Sequence, residues 1–324
     1  MTRLAALTVV VFAFSTAPAW GSGGPVVGAG DAGPLGVTAD GLGARYVTQP
    51  VPGGTLLEAI DRDGGSIIGS RFLHRELMVP AVAFDGSATG LTADGTTLVL
   101  ASPLRGSTTR LAVIDTRTLR VRGIVSLRGR FALDAVAPDG ARLYLVQLLS
   151  ADGTRYAVRA YDMTAGRLLR APVVDPTEAD EPMRGSPISR VMSTDGRWAY
   201  TLYDGAGKAP FIHALDTVRA QARCIDLDAL AGRQDLLDMR LDLGGGGAVV
   251  VSDGALHAVL RVDPRTFEVS RARSVPPAAP VSGSGVGWLE PILGAGVLAL
   301  LAAFAVWAGR RRRERGGDLG QLRL

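Results

Sequence analysis

Thr92-Ala-Asp-Gly-Thr-Thr-Leu-Val-Leu-Ala-Ser102 and, nine residues on, Leu111-Ala-Val-Ile-Asp-Thr-Arg-Thr-Leu119 decide the fold. The first stretch holds a tight Asp-Gly turn followed by a run of Leu, Val and Thr. Glycine accepts the positive φ such a turn needs, and Asp bonds its own backbone there. The second stretch is an apolar run that stops at Asp115. Together they predict four short strands, Ser87–Ala93, Thr97–Ser102, Arg110–Asp115 and Leu119–Leu127, bounded by turn residues.

Both landmarks recur. The turn returns as Ala39-Asp40-Gly41, Pro138-Asp139-Gly140, Thr194-Asp195-Gly196 and a degenerate Gly244–Gly247. The strand-ending Asp returns as Asp61, Asp162, Asp216 and Asp263. In the first four units the two aspartates stand 21, 21, 23 and 21 residues apart, while successive strand-ending Asp residues lie 54, 47, 54 and 47 apart. A steady inner offset within a varying outer period marks a structural repeat. Four antiparallel strands in about 50 residues make a propeller blade, which hides its two faces only by stacking on neighbours. The expected fold class is all-β, a β-propeller of about five four-stranded blades. Residues near the N-terminus are expected to help complete the last blade.

The stretches Thr92–Leu98, Leu111–Leu119 and Val121–Gly129 resemble the repeat of YVTN-type bacterial surface β-propellers (WD40/YVTN-like). Arg45-Tyr-Val-Thr-Gln49 resembles the signature that names the family, with Gln where the family usually has Asn. The resemblance covers roughly residues 35–273. It implies the fold, often with seven blades where five units are visible here, and says little about function because propellers host unrelated activities.

The ends carry different signals. Residues 1–19 have one positive charge, the apolar run Leu4–Phe14 and an Ala-Pro-Ala ending, the pattern of a secretory signal peptide. Residues 289–309 form an apolar stretch, uncharged from Pro291 to Gly309 with Trp288 and Trp307 near its two ends, long enough for a transmembrane α-helix. Arg310, Arg311, Arg312 and Arg313 follow and set the orientation, with the tail 310–324 cytoplasmic. A Pro/Gly/Ser linker, 274–288, joins this anchor to the ectodomain at 20–273. The expected location is the plasma membrane, single-pass type I, with the body outside.

The formal charge of +4 sits in the last fifteen residues, so the body is close to neutral and nucleic acid is not an expected partner. The chain contains no Asn, hence no N-glycosylation sequon. Its single cysteine, Cys224, excludes an intramolecular disulfide and reads as a small apolar filler on a strand. The three histidines, His74, His213 and His257, have no ligand spacing and read as isolated residues. The strand-ending aspartates read as turn-formers rather than a catalytic ring. No nucleophile elbow, phosphate loop, dinucleotide fingerprint or His-Glu-x-x-His motif is present.

Function is expected on the rim bearing the longer, varied loops: the second-to-third-strand loops and the connections between blades. Binding candidates there are His74, Arg105, Asp175, Glu178, Asp180, Glu181, Asp204 and Lys208, the only lysine. The acidic stretch Val174–Pro187 has two readings, a cation site or docking strip and a solvated charge run; composition favours the second. It lacks the spacing of a known calcium loop. Asp226–Leu237 has helical spacing and is expected to cap the rim. No catalytic residue, metal or cofactor is expected, and the partner is another extracytoplasmic or membrane protein. The alternative is a metal-dependent, lactonase-like propeller hydrolase, for which the innermost strands offer Asp134, Asp238 and Asp242.

Overall fold

The computed structural model describes residues 36–150, 153, 155–179 and 183–272. The expected leader, linker, transmembrane segment and Arg310–Arg313 lie outside them, as do Asp180 and Glu181. All described residues belong to one compact unit.

Strand after strand folds back on its predecessor. The first sheet is Gly36–Ala39 (β1), Ala44–Val51 (β2), Gly54–Asp61 (β3) and Ile67–Leu73 (β4). The second is Thr97–Ala101 (β5), Thr108–Asp115 (β6) and Arg120–Arg128 (β7). Arg130–Val136 (β8), Arg142–Leu148 (β9), Tyr156–Asp162 (β10) and Arg167–Leu168 (β11) form the third. Pro187–Met192 (β12), Trp198–Tyr203 (β13), Phe211–Asp216 (β14) and Gln221–Asp226 (β15) form the fourth. The fifth is Arg240–Leu243 (β16), Val249–Ser252 (β17), Ala258–Val262 (β18) and Val269–Arg271 (β19). Within each sheet, strands pair antiparallel in sequence order. Among the described residues there is no α-helix, and no helix is long and apolar enough to cross a membrane.

The repeat landmarks do the turning. Asp61, Asp115, Asp162, Asp216 and Asp263 each accept backbone N–H bonds from the turn that follows, for example from Val218 and Arg219 at 3.0 and 2.9 Å for Asp216. Asp94, Asp139 and Asp195 accept the same way beside Gly95, Gly140 and Gly196, whose φ values are +70°, +69° and +69°. The first unit departs from this pattern: a short 3-10 turn spans Asp40–Leu42, and Gly43 rather than Gly41 takes the positive φ.

β5, β9 and β13 are buried on both faces because neighbouring sheets cover both. One core cluster joins the first and second sheets through Leu57, Leu98 and Ile114. Another joins the second and third through Leu111, Phe131 and Leu145. Tyr144, Val158 and Leu215 pack between the third and fourth, and Tyr200, Ile212 and Val251 between the fourth and fifth. This serial stacking of meander sheets fits a β-propeller.

Three expectations are corrected. All four strands of the last sheet come from residues 240–271, so the first described residues do not complete it. Ser87–Ala93 is not a continuous strand. Met78 and Leu91 make single bridges to β5, and the intervening chain loops away to the centre, where Phe84 and Asp85 donate N–H bonds to Pro187 and Ile188 of β12. Asp226–Leu237 forms two 3-10 turns, at Asp228–Leu230 and Leu236–Asp238, rather than one helix, while Leu227 and Leu230 are fully buried. Gly232, at φ +76°, lies between the two turns.

Candidate functional site

A buried polar row crosses the fourth sheet from its innermost to its outermost strand. The register pairs Arg190 of β12 with Thr201 of β13, Thr201 with His213 of β14, and His213 with Cys224 of β15. Directly opposed residues share a face, and here that face looks towards the third sheet. At the inner end Arg190 is completely engaged. Its Nε donates to Thr201 Oγ1 at 2.8 Å, and its two terminal nitrogens donate to the carbonyl and carboxylate of Asp134. Asp134 is aimed there by a bulge in β8, which skips it in the register between Leu133 and Ala135. Ser87 Oγ exchanges bonds with the Arg190 backbone at 3.2 Å, so this residue ties together the second, third and fourth sheets.

At the outer end the row opens into a cavity of about 270 Å³. Its walls come from the segment linking the third and fourth sheets (Asp175, Glu178, Met183), the loop after β13 (Gly205, Lys208) and the β14–β15 face (Phe211, His213, Cys224). Asp175 is 4% exposed and held rigidly: it accepts from Thr177 N and Oγ1 at 2.9 and 2.6 Å and from Cys224 N at 2.9 Å, with Arg223 Nη1 at 3.4 Å. Burial works to raise its pKa, but those bonds and Arg223 prevail and keep it below the usual carboxylate range. The Cys224 thiol is pushed up to about 12, first by burial and then by the charges of Glu178 and Asp175, so it is protonated at neutral pH. His213, 2% exposed, is pushed down to about 4 by burial and is neutral there. One carboxylate oxygen each from Asp175 and Glu178 and the sulfur of Cys224 lie within 4.8 Å of one another.

Of the rim candidates, Asp175, Glu178 and Lys208 meet at this cavity. Asp204 stands beside it as a clamp, accepting from Ser186 N and Ala206 N at 2.8 and 3.0 Å. The clamp requires Gly185, which has φ +89° and whose Cβ would lie 2.5 Å from the Asp204 carboxylate. His74 and Arg105 line a separate depression between the first and second sheets, where Arg105 faces Glu76 at 3.5 Å in an exposed pair. The stretch 79–83, expected on the rim, is buried. The carboxylates offered for a channel cation do not converge: Asp134 is neutralised by Arg190, Asp238 sits in a 3-10 turn and Asp242 is exposed on β16. Sequence reasoning missed Cys224 and His213 as neighbours in a site. Their only signal is the β14–β15 register, which needs the turn at Val218–Ala220 to be placed correctly.

No family model matches the chain, and no curated protein matches it. Among solved structures it is similar to hydrazine synthase of Kuenenia stuttgartiensis, with 24% identity over 56% of this chain and 47% of that one and a TM-score of 0.36. It is also similar to the Cps50 (Swd1) β-propeller domain of Myceliophteria thermophila, with 10% identity over 76% and 74% of the two chains and a TM-score of 0.45. TolB of Acinetobacter baumannii gives 13% identity over 70% and 53%, with a TM-score of 0.39. The chain spans about half the length of the hydrazine synthase and TolB chains. Likenesses this distant carry no activity across; the fold rests on the sheets described above.

Proposed function

We propose that this chain is an extracytoplasmic five-bladed β-propeller of the YVTN type, anchored by residues 289–309, that binds another extracytoplasmic or membrane protein without catalysing a reaction. The observation that carries this reading is the cavity at the rim between the third and fourth sheets. It is walled by loops rather than by scaffold strands alone, and it mixes acidic Asp175, Glu178, Asp226 and Asp228 with basic Arg184 and Lys208. Mixed charge around an apolar floor of Val173, Met183 and Phe211 suits a polar-rimmed protein contact. The near-neutral body leaves nucleic acid aside. Under this reading the leader 1–19 exports the body, and Arg310–Arg313 hold the tail in the cytoplasm and contact anionic lipid.

The test is affinity capture of the full-length chain from its own membranes, comparing wild type with the double charge reversal Glu178→Lys/Lys208→Glu. Loss of a specific co-purifying protein in the variant is expected; an unchanged set of co-purifying proteins contradicts the reading. Separately, replacing Arg310–Arg313 by Gln is expected to scramble the topology seen by protease protection. A variant that keeps wild-type topology removes those residues from that role.

A further inference from the structure

We propose that the depression between the first and second sheets binds an oxyanion of the phosphate class through Arg75, Arg105 and Arg110. The site lies apart from the cavity around Asp175 and needs no protein partner, so it does not depend on the docking reading.

Shape and charge supply the first argument. The depression has a volume of about 330 Å³, within the range of about 300–1,000 Å³ usual for small-ligand sites. His74, Arg75 and Glu76 reach it from the connection after β4, Arg105 from the β5–β6 loop and Arg110 from β6. Glu76 is the one carboxylate lining it, against three arginines, in a body whose charge is otherwise close to balanced. Two further arginines extend the field. Arg71 pairs with Leu57, which packs towards the second sheet, so Arg71 lies on that same face. Arg128 pairs with Thr108, on the face that carries Arg110 and turns the buried Ala112 and Ile114 towards the first sheet. The facing strands thus gather guanidinium groups at the rim end of one cleft.

The second argument concerns their partners. Among the described residues no hydrogen bond or ion pair reaches the side chains of Arg71, Arg75, Arg110 or Arg128. Like charges gathered around one depression repel, and a counter-anion relieves that repulsion. Arg105 has a partner: the Glu76 carboxylate stands 3.5 Å from it, with both side chains exposed. Such a pair contributes little. It also marks where a ligand sits, because a carboxylate of the chain already occupies the guanidinium that an incoming oxyanion would take.

Donor chemistry sets the ligand class. A guanidinium presents a planar fork of N–H donors that matches phosphate and carboxylate oxygens. With Glu76 cancelling one arginine, the lining keeps two positive charges in surplus, which suits a doubly charged phosphate better than a single carboxylate. His74, its ring edge-on to Phe72 with centroids 4.7 Å apart, adds an N–H donor at the wall. The bound anion would bridge Arg75 to Arg105 and so tie the connection after β4 to the β5–β6 loop. A soluble phosphate compound and a lipid headgroup share this chemistry.

The test uses purified full-length protein in neutral detergent, at an ionic strength held constant with chloride so that general screening cancels. One arm titrates inorganic phosphate by calorimetry. The other reads the melting midpoint in micelles doped with phosphatidylglycerol or with phosphatidylcholine. We expect one phosphate per chain. Its affinity should fall about tenfold in Arg75→Gln and in Arg110→Gln, the loss of one charge-assisted hydrogen bond each, and stay unchanged in Arg117→Gln on the opposite rim. Glu76→Gln, which removes the competing carboxylate, should bind phosphate more tightly than wild type. All four side chains are exposed, so the variants should keep the fold. Stabilisation by phosphatidylglycerol alone, lost in Arg75→Gln and Arg110→Gln, upholds the site with a lipid headgroup as its source; phosphate binding without that lipid effect upholds it with a soluble ligand. If neither probe distinguishes wild type from the arginine variants, or if Arg117→Gln loses as much as they do, the proposal is overturned.

Discussion

Arg190 is 8% exposed and Asp134 6%, and the two form an ion pair at the junction of three sheets. Removing one member of a buried pair strands the other charge, which costs about 3–5 kcal/mol. Arg190→Leu is therefore expected to lower unfolding stability by about that amount in denaturant melts. Adding Asp134→Leu to it should recover most of the loss, since a packed apolar pair replaces the ionic one. A double variant no better than the single one would show that Arg190 acts through Ser87 and Thr201 rather than through Asp134. Gly185→Ala gives a second residue-scale test: its Cβ would meet the Asp204 carboxylate at 2.5 Å, at φ +89°. The expected cost is about 1–3 kcal/mol, read as a lowered melting midpoint. None of these pairings was legible in the sequence. Asp134 reads as an inner-strand carboxylate open to a cation, and its partner lies 56 residues away on another sheet. His213 and Cys224 read as an isolated histidine and an apolar filler, because a shared strand face appears only once the register is known.

At the scale of the element the sequence is far more informative, because turn chemistry is local. Asp-Gly pairs locate the β8–β9 and β12–β13 turns and the turn before β5, and strand-ending aspartates locate the β3–β4, β6–β7, β10–β11 and β14–β15 turns, from short-range hydrogen bonding alone. Legibility fails where a distant contact overrides local preference: Ser87–Ala93 has strand-like composition, but the chain before it is drawn to β12 across the centre. It fails again after β15, where Leu227 and Leu230 have helical spacing but Gly232 interrupts the helix. The turn aspartates also predict acid lability. Asp94, Asp195, Asp216 and Asp263 are held below the ordinary carboxylate value, and Asp115 is lowered to about 2 by the Thr118 backbone bond first and then by Arg122. A group whose folded pKa is depressed stabilises the fold above its unfolded value and loses that contribution as pH falls through the folded one. Stability should therefore decline as pH passes from about 4 towards 2. Asp216→Ala should cost about 1–3 kcal/mol at pH 7, where its carboxylate binds Arg197 and two backbone N–H groups. Melts across the same acid window should show a shallower decline for that variant; an identical slope would exclude Asp216 as a contributor.

The described residues form a series of sheets, each sharing its core with the next, and the repeat spacing announced that series before any contact was known. What lies between the sheets was less legible, because the buried 79–83 stretch and the Arg190 junction depend on contacts distant in sequence. The same serial stacking separates scaffold from function. The turn rim of Asp94, Asp139 and Asp195 repeats one geometry, whereas the opposite rim varies and holds the cavity around Asp175, Glu178 and Lys208. A protein partner should therefore engage one rim and not the other. The most direct measurement places a photo-crosslinking amino acid at exposed Ala179 or Asp228 beside the cavity, and in a parallel strain at Arg117 on the opposite turn rim, in full-length protein in its native host. The account predicts one discrete crosslinked protein from Ala179 and Asp228 and none from Arg117. Crosslinking from Arg117 with nothing at the cavity, or no crosslink from any of the three, would contradict it.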